Sequence, residues 1–135
     1  MCVIVVYRGG VTLVRVVEVE MKELGYYNPF NDTIYIRKDL PHEVRKIVLS
    51  HETAHQKDRP WILLHILLGF SFLASEIVLA ILTLTSRISI YKFLEVTCLY
   101  CIILSIIHVI LEIRAWKKSG YSIKEFSYLV KKYKL

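Results

Sequence analysis

Residues 51–55 read His-Glu-Thr-Ala-His, two imidazoles four positions apart with a carboxylate directly after the first. On a helix, side chains four apart project from one face, so His51 and His55 can each aim a ring nitrogen at a common point. Two nitrogens so placed suit a zinc ion, and Glu52, one step round the helix, reaches a water on that ion. Zinc brings the pKa of such a water down to about 7, and a neighbouring carboxylate takes its proton as the oxygen attacks a carbonyl. The same group can then hand the proton to a departing amine. This spacing predicts peptide-bond hydrolysis with Glu52 as general base. The bland alternative is a surface helix that carries two histidines, since chance spells the pattern in roughly one or two of a hundred chains of this composition.

Catalytic zinc takes three protein ligands and keeps one position open. The best third candidate is Glu112 in "HVILEIRAWKKSG", 57 residues after His55. Its competing role is a helix-end acid paired with Arg114 or a lysine. What lies between the two suggests how they could meet. Trp61 to Thr85 contains one acid, Glu76, and one histidine, His65. As a helix it would be about 37 Å long, enough to cross a bilayer core of about 30 Å. Phe93 to Leu111, interrupted only by Glu95 and His108, makes a second, shorter candidate span. Two antiparallel spans return the chain to the side it left, which brings Glu112 back towards the level of Trp61. The alternative, two buried helices in a water-soluble bundle, leaves a chain of 135 residues little other surface to wrap them.

Lysine and arginine counts orient the hairpin. Nine precede residue 60, seven follow from Arg114, and only Arg87 and Lys92 lie between the spans. Positive residues stay inside, so both ends and the metal group are expected in the cytoplasm. His108, four residues before Glu112, is an alternative ligand, a donor to the reaction's oxyanion, or a satisfied intramembrane histidine. Tyr121 and Tyr35 are further oxyanion candidates.

The remaining elements must position these groups. Residues 2–7 read as a strand ended by Gly9-Gly10. Residues 12–24 fit a helix through Leu13, Val17, Met21 and Leu24, with Glu18 and Lys22 paired and Gly25 as a C-terminal cap, although the valines equally suit a strand. Residues 26–32 carry turn chemistry, and Thr33 to Ile36 form a short strand. Asp39 before Leu40-Pro41 opens a helix that should run to about Lys57, with Val44, Ile47, Val48, His51, Ala54 and His55 on one face. Ser122 to Glu125 spells a capping box, and Ile123, Phe126, Val130 and Tyr133 form an amphipathic stripe. The expected fold class is α+β.

Composition agrees with this plan. The chain is 55% apolar with a mean hydropathy of +0.46, above soluble averages. Its net charge of +6 is not gathered into a basic run with interleaved aromatics, which argues against nucleic-acid binding. Cys2, Cys98 and Cys101 provide no disulfide framework; Cys98 and Cys101 read as small apolar residues before a redox or zinc pair. The N-terminus, MCVIVVYRGG, lacks the features of a signal peptide.

At this point the sequence resembles the HtpX-like and CAAX-prenyl-protease-like zinc metallopeptidases, including the compact minigluzincins. "NPFNDTIYI" is similar to the strand beside that family's active site, and "HEVRKIVLSHETAH" to its acid-apolar run ending in the zinc motif. A two-span hairpin follows, and "EIRAWKKSGYSIKEFSYLVKKYKL" is similar to its Glu-x-x-Ala-Asp segment, glycine and closing helix. Together these cover about residues 26–135. The resemblance implies a small zincin-like catalytic domain: one zinc on His51, His55 and Glu112, Glu52 as base, and extended substrate pairing along Thr33, Ile34, Tyr35 and Ile36. It implies one minimal membrane metallopeptidase, with strands and motif helix in 1–60, the hairpin in 61–111, and third ligand and closing helix in 112–135. The expected partners are a peptide or protein substrate and the lipid membrane. One departure stands out: the family's aspartate, four residues after the metal-binding glutamate, is Trp116 here. That aspartate orients a zinc histidine, and Asp58 or a backbone carbonyl is its candidate substitute. The rival expectation is a zinc-binding membrane interaction protein without catalysis.

Overall fold

A computed structural model describes residues 2–5 and 14–135, with side chains from Arg15 onward. It is a mixed α+β chain whose described elements run β1 (Cys2–Val5), β2 (Val14–Val19), β3 (Gly25–Asn28), β4 (Thr33–Arg37), α1 (His42–Lys57), α2 (Arg59–Leu84), α3 (Ile90–Ser119) and α4 (Ile123–Tyr133). The expected turn at Gly9-Gly10 lies outside the described residues. Two compact units divide the chain: residues 1–59 with 112–135, and residues 60–111.

In the first unit the strands form one sheet of order β1-β2-β4-β3. β2 and β4 are parallel, while β1 and β3 flank them antiparallel. The pairing sets Val16 beside Ile34 and Ile34 beside Tyr27, so these three share a face. With Ile36 they are buried, as are Val44, Ile47 and Val48 of α1. These positions follow the period-2 and helical spacings that a sheet covered by one helix requires. α4 lies against α1 and buries Leu129. Ser122 caps α4 by accepting from the Lys124 backbone N–H.

Three expectations change. Residues 14–19 form a strand, not part of a helix. The apolar spacing of Leu13, Val17 and Met21 is outweighed by four β-branched valines in six residues, and β2 supplies the partner that the inner edge of β4 needs. Glu18 consequently pairs with Arg45 of α1 rather than with Lys22. The turn read over 26–32 begins later, because Gly25 to Asn28 are the strand β3. Gly25 is no helix cap: a Cβ there would collide with Val48 Cγ1 and lie 3.2 Å from the Tyr35 carbonyl oxygen. Finally, α1 starts at His42 with Pro41 as its N-cap, and Asp39 instead pairs with Arg37 at 2.8 Å.

The second unit consists of α2 and the apolar part of α3, both long and apolar enough to cross a membrane. α2 buries no residue, which separates it from the core helix of a soluble bundle. Leu67, Phe70, Leu73 and Ile77 on α2, and Leu99, Ile102 and Ile106 on α3, are exposed. Two polar pairs face one another: Thr97 Oγ1 lies 2.9 and 3.0 Å from the two Glu76 carboxylate oxygens, and the His65 and His108 rings stack with centroids 6.1 Å apart. Phe72 stacks on Tyr100 between them. The second span does not stop at Leu111, since α3 continues without a break to Ser119.

Candidate metal centre

All of the central groups belong to the first unit. The motif helix α1 brings His51 and His55 onto one face, their Nε2 atoms 3.1 Å apart. Glu112, seven residues before the end of α3, completes the group: Oε2 lies 3.5 Å from His51 Nε2 and Oε1 lies 3.3 Å from His55 Nε2. These are the edges of a small triangle. Ligand atoms at 2.0–2.2 Å from a tetrahedral ion stand about 3.3–3.6 Å apart, and one ligand atom from each of the three residues lies within 4.8 Å of the others, close to that spacing. Both imidazoles are 12% exposed and the carboxylate 39%, which leaves an open side. Two imidazole nitrogens and a carboxylate oxygen are a donor set suited to a borderline divalent ion.

The electrostatics follow from that closeness. Hydrogen bonds from His51 and then His55 hold the Glu112 carboxyl well below the usual carboxylate range. Burial works against a charged His55, yet the hydrogen bond and charge of Glu112 outweigh it and its pKa is raised. Glu52 is 8% exposed, and burial pushes its pKa up against the lowering pull of both histidines. The Tyr27 backbone N–H also bonds the Glu52 carboxylate, so β3 runs beside the motif.

A cavity of about 210 Å³ opens beside the group, lined by His51, Glu52, Glu112 and the apolar side chains of Leu24, Val48, Trp116 and Phe126. Trp116 occupies the position at which an orienting aspartate is expected. Its ring centroid lies 4.4 Å from that of His51, and Phe126 supports it from α4 at 5.3 Å. His51 Nδ1 is buried and has no hydrogen-bond partner among the described residues.

Other candidate residues lie elsewhere. Asp58 does not orient a histidine by hydrogen bonding: its Oδ1 accepts from Arg114 at 2.9 Å and Lys118 at 2.7 Å. It thereby ties the end of α1 to the part of α3 that carries Glu112. The Ser50 hydroxyl reinforces this by donating to the Ser119 carbonyl at 2.8 Å. His108 faces His65 and is not among the three clustered ligands. Tyr35 stacks on Tyr26, and its hydroxyl accepts from Asn31. Tyr121 contributes a backbone N–H to Ser119 Oγ.

The substrate-strand expectation needs correction. Thr33 to Ile36 lie in β4, which is paired on both sides and has no free edge. The edge nearest the motif helix is β3. The Arg37 N–H bonds Leu24 O across the pair, so by antiparallel alternation the backbone groups of Gly25 and Tyr27 point away from β4. Sequence reasoning missed β3 because its residues sit against strong turn signals, Asn28-Pro29 and Asn31-Asp32. The available signal was Gly25 ahead of two tyrosines. No family model, curated protein or solved structure matches the chain.

Proposed function

We propose that the chain is a membrane-embedded, zinc-dependent endopeptidase with a zincin-like catalytic unit, akin to the metallopeptidases its motifs resemble. The observation that carries this reading is the 3.1–3.5 Å triangle of His51, His55 and Glu112 with a buried glutamate directly beside it. The three residues would hold the ion, which when bound serves as a Lewis acid that makes water a nucleophile at neutral pH. Glu52 would act as the base, accepting a proton from the attacking water and delivering it to the nitrogen of the departing amine. An extended segment aligns along the free edge of β3, bonding the outward backbone of Gly25 and the Tyr27 carbonyl. Strand pairing demands an extended backbone, so the substrates are unfolded or locally extended polypeptides.

The two apolar helices would span the bilayer, and the distribution of lysine and arginine puts both chain ends and the metal group on the cytoplasmic side. A second reading is a metal-holding membrane interaction protein without catalysis, favoured by Trp116 and the unpartnered His51 Nδ1.

The test is Glu52→Gln in the purified full chain, assayed on an unfolded polypeptide. Loss of the base should lower turnover by about 10²–10⁴-fold while metal content stays at one ion per chain. Unchanged turnover would refute the role of Glu52. Stoichiometric metal with no cleavage by the wild-type chain would favour the second reading.

A further inference from the structure

A neutral imidazole carries one proton and one lone pair, on different nitrogens. His51 and His55 turn their Nε2 atoms towards Glu112 and towards each other, so ligation uses those atoms. The proton of a ligating His51 must then sit on Nδ1. That nitrogen is buried and meets no acceptor among the described residues. Of the two histidines, only His51 has such an orphaned nitrogen. Trp116 packs against the ring, centroids 4.4 Å apart and planes inclined at 37°, and Phe126 backs the indole. An aromatic face is at best a weak acceptor for an N–H.

We infer that Trp116 is the positioning residue for His51, orienting the ring by packing alone, and that the missing acceptor leaves the metal loosely held and readily exchanged. A hydrogen-bonded partner does two things at once: it aims the ring and makes it a stronger base towards the ion. Trp116 does only the first. Without the ion, the proton can instead reside on Nε2 and point at Glu112, which spares the chain a buried N–H without an acceptor, and binding must give that arrangement up. This inference rests on the metal-site reading above and adds a statement about affinity and exchange.

The experiment compares zinc dissociation constants of the full chain in detergent, measured by competition with a chromophoric chelator. Trp116→Asp supplies an acceptor and should tighten binding by about 10–100-fold, the usual weight of such a partner. Trp116→Phe keeps a ring without an acceptor and should stay close to wild type, whereas Trp116→Ala should bind more weakly than both. With nitrogen-15 histidine, the His51 Nδ1 proton of the zinc-loaded chain should exchange more slowly with solvent in Trp116→Asp. A purely structural role for the indole would weaken binding in all three variants, and that order of affinities overturns the inference. Wild-type binding with no gain in Trp116→Asp overturns it as well. Absence of zinc binding in wild type and every variant is a different failure, and it removes the metal-site reading itself.

Discussion

The two units of this chain handle polar groups in opposite ways. In the unit of residues 1–59 and 112–135, buried polar side chains reach far along the sequence to partners that fix geometry. Asp58 holds Arg114 and Lys118, Ser50 holds Ser119, and Gln56 reaches Asp32. In the unit of residues 60–111, apolar side chains cover the outside and two polar pairs meet across the hairpin, Glu76 with Thr97 and His65 with His108, while Ser71, Ser75, Thr83 and Ser105 bond carbonyls of their own helix. The first unit uses water-like rules, with apolar residues inside and polar exceptions that each have a purpose. The second has two helices long and apolar enough to cross a membrane, and in a lipid solvent an unsatisfied polar group would have no water to fall back on. Chemistry that needs three ligands fixed to fractions of an ångström belongs to the first kind of region.

The sharpest way to test this contrast is Glu112→Ala. It should weaken metal binding by more than about 100-fold, beyond the loss of an outer partner, because a ligand itself is gone. The hairpin should be indifferent, with helical content unchanged by circular dichroism. Retained tight binding would mean that the third ligand is another group and that the triangle is an ion cluster only.

A smaller effect is expected from Asp58→Ala. The carboxylate is 3% exposed while its partners Arg114 and Lys118 are 41% and 38% exposed. Solvent therefore screens the partners, and the loss should be about 1–3 kcal/mol, the weight of a buried hydrogen-bonded charge rather than of an isolated ion pair. The measurement is thermal unfolding in detergent, with metal affinity followed in parallel. Because Asp58 links α1 to the end of α3, affinity should fall together with stability. A variant as stable as wild type would show that the clamp is dispensable.

The smallest effect is predicted in the hairpin. Thr97→Val removes the hydroxyl facing Glu76, and polar pairs between membrane helices are worth about 0.6–2 kcal/mol. The double variant Glu76→Leu with Thr97→Val should recover most of that loss, since replacing both partners by apolar groups leaves nothing unsatisfied. A double-mutant cycle on unfolding in detergent checks this. Additive losses would mean that the pair is not coupled and that the hairpin does not follow lipid rules.

How much of this could be read from the sequence depends on the range of the interaction involved. His51, Glu52 and His55 are local: a spacing of four is a statement about one turn of helix, and α1 formed where that periodicity predicted. Glu112 is distant but reachable by counting apolar segments, because two candidate spans of opposite direction are expected to return the chain to the side it left. The Val14–Val19 strand was misread because Val17 and Met21 match a helical stripe, and nothing local says that β4 needs a second partner. The β3 edge was hidden by Asn28-Pro29, whose turn signal spilled over the preceding strand. Asp58 is one of two candidate substitutes for the orienting aspartate in the sequence; the partners it holds, Arg114 and Lys118, are 56 and 60 positions away, and no local pattern announces them. Trp116 was noticed as a departure, but its stacking on His51 and the orphaned nitrogen emerge only in three dimensions.

Gly25 gives this arrangement a narrow tolerance. The gap between the sheet's free rim and the helix bearing Glu52 is set by a single hydrogen atom where every other residue has at least a methyl. Enlarging that atom presses on Val48 and on the Tyr35 carbonyl, so on the proposed reading a visiting polypeptide would dock in register yet too far from the metal group. In a saturation screen for activity, that column should admit one letter, while Tyr26 beside it, facing away and nearly half exposed, should admit many.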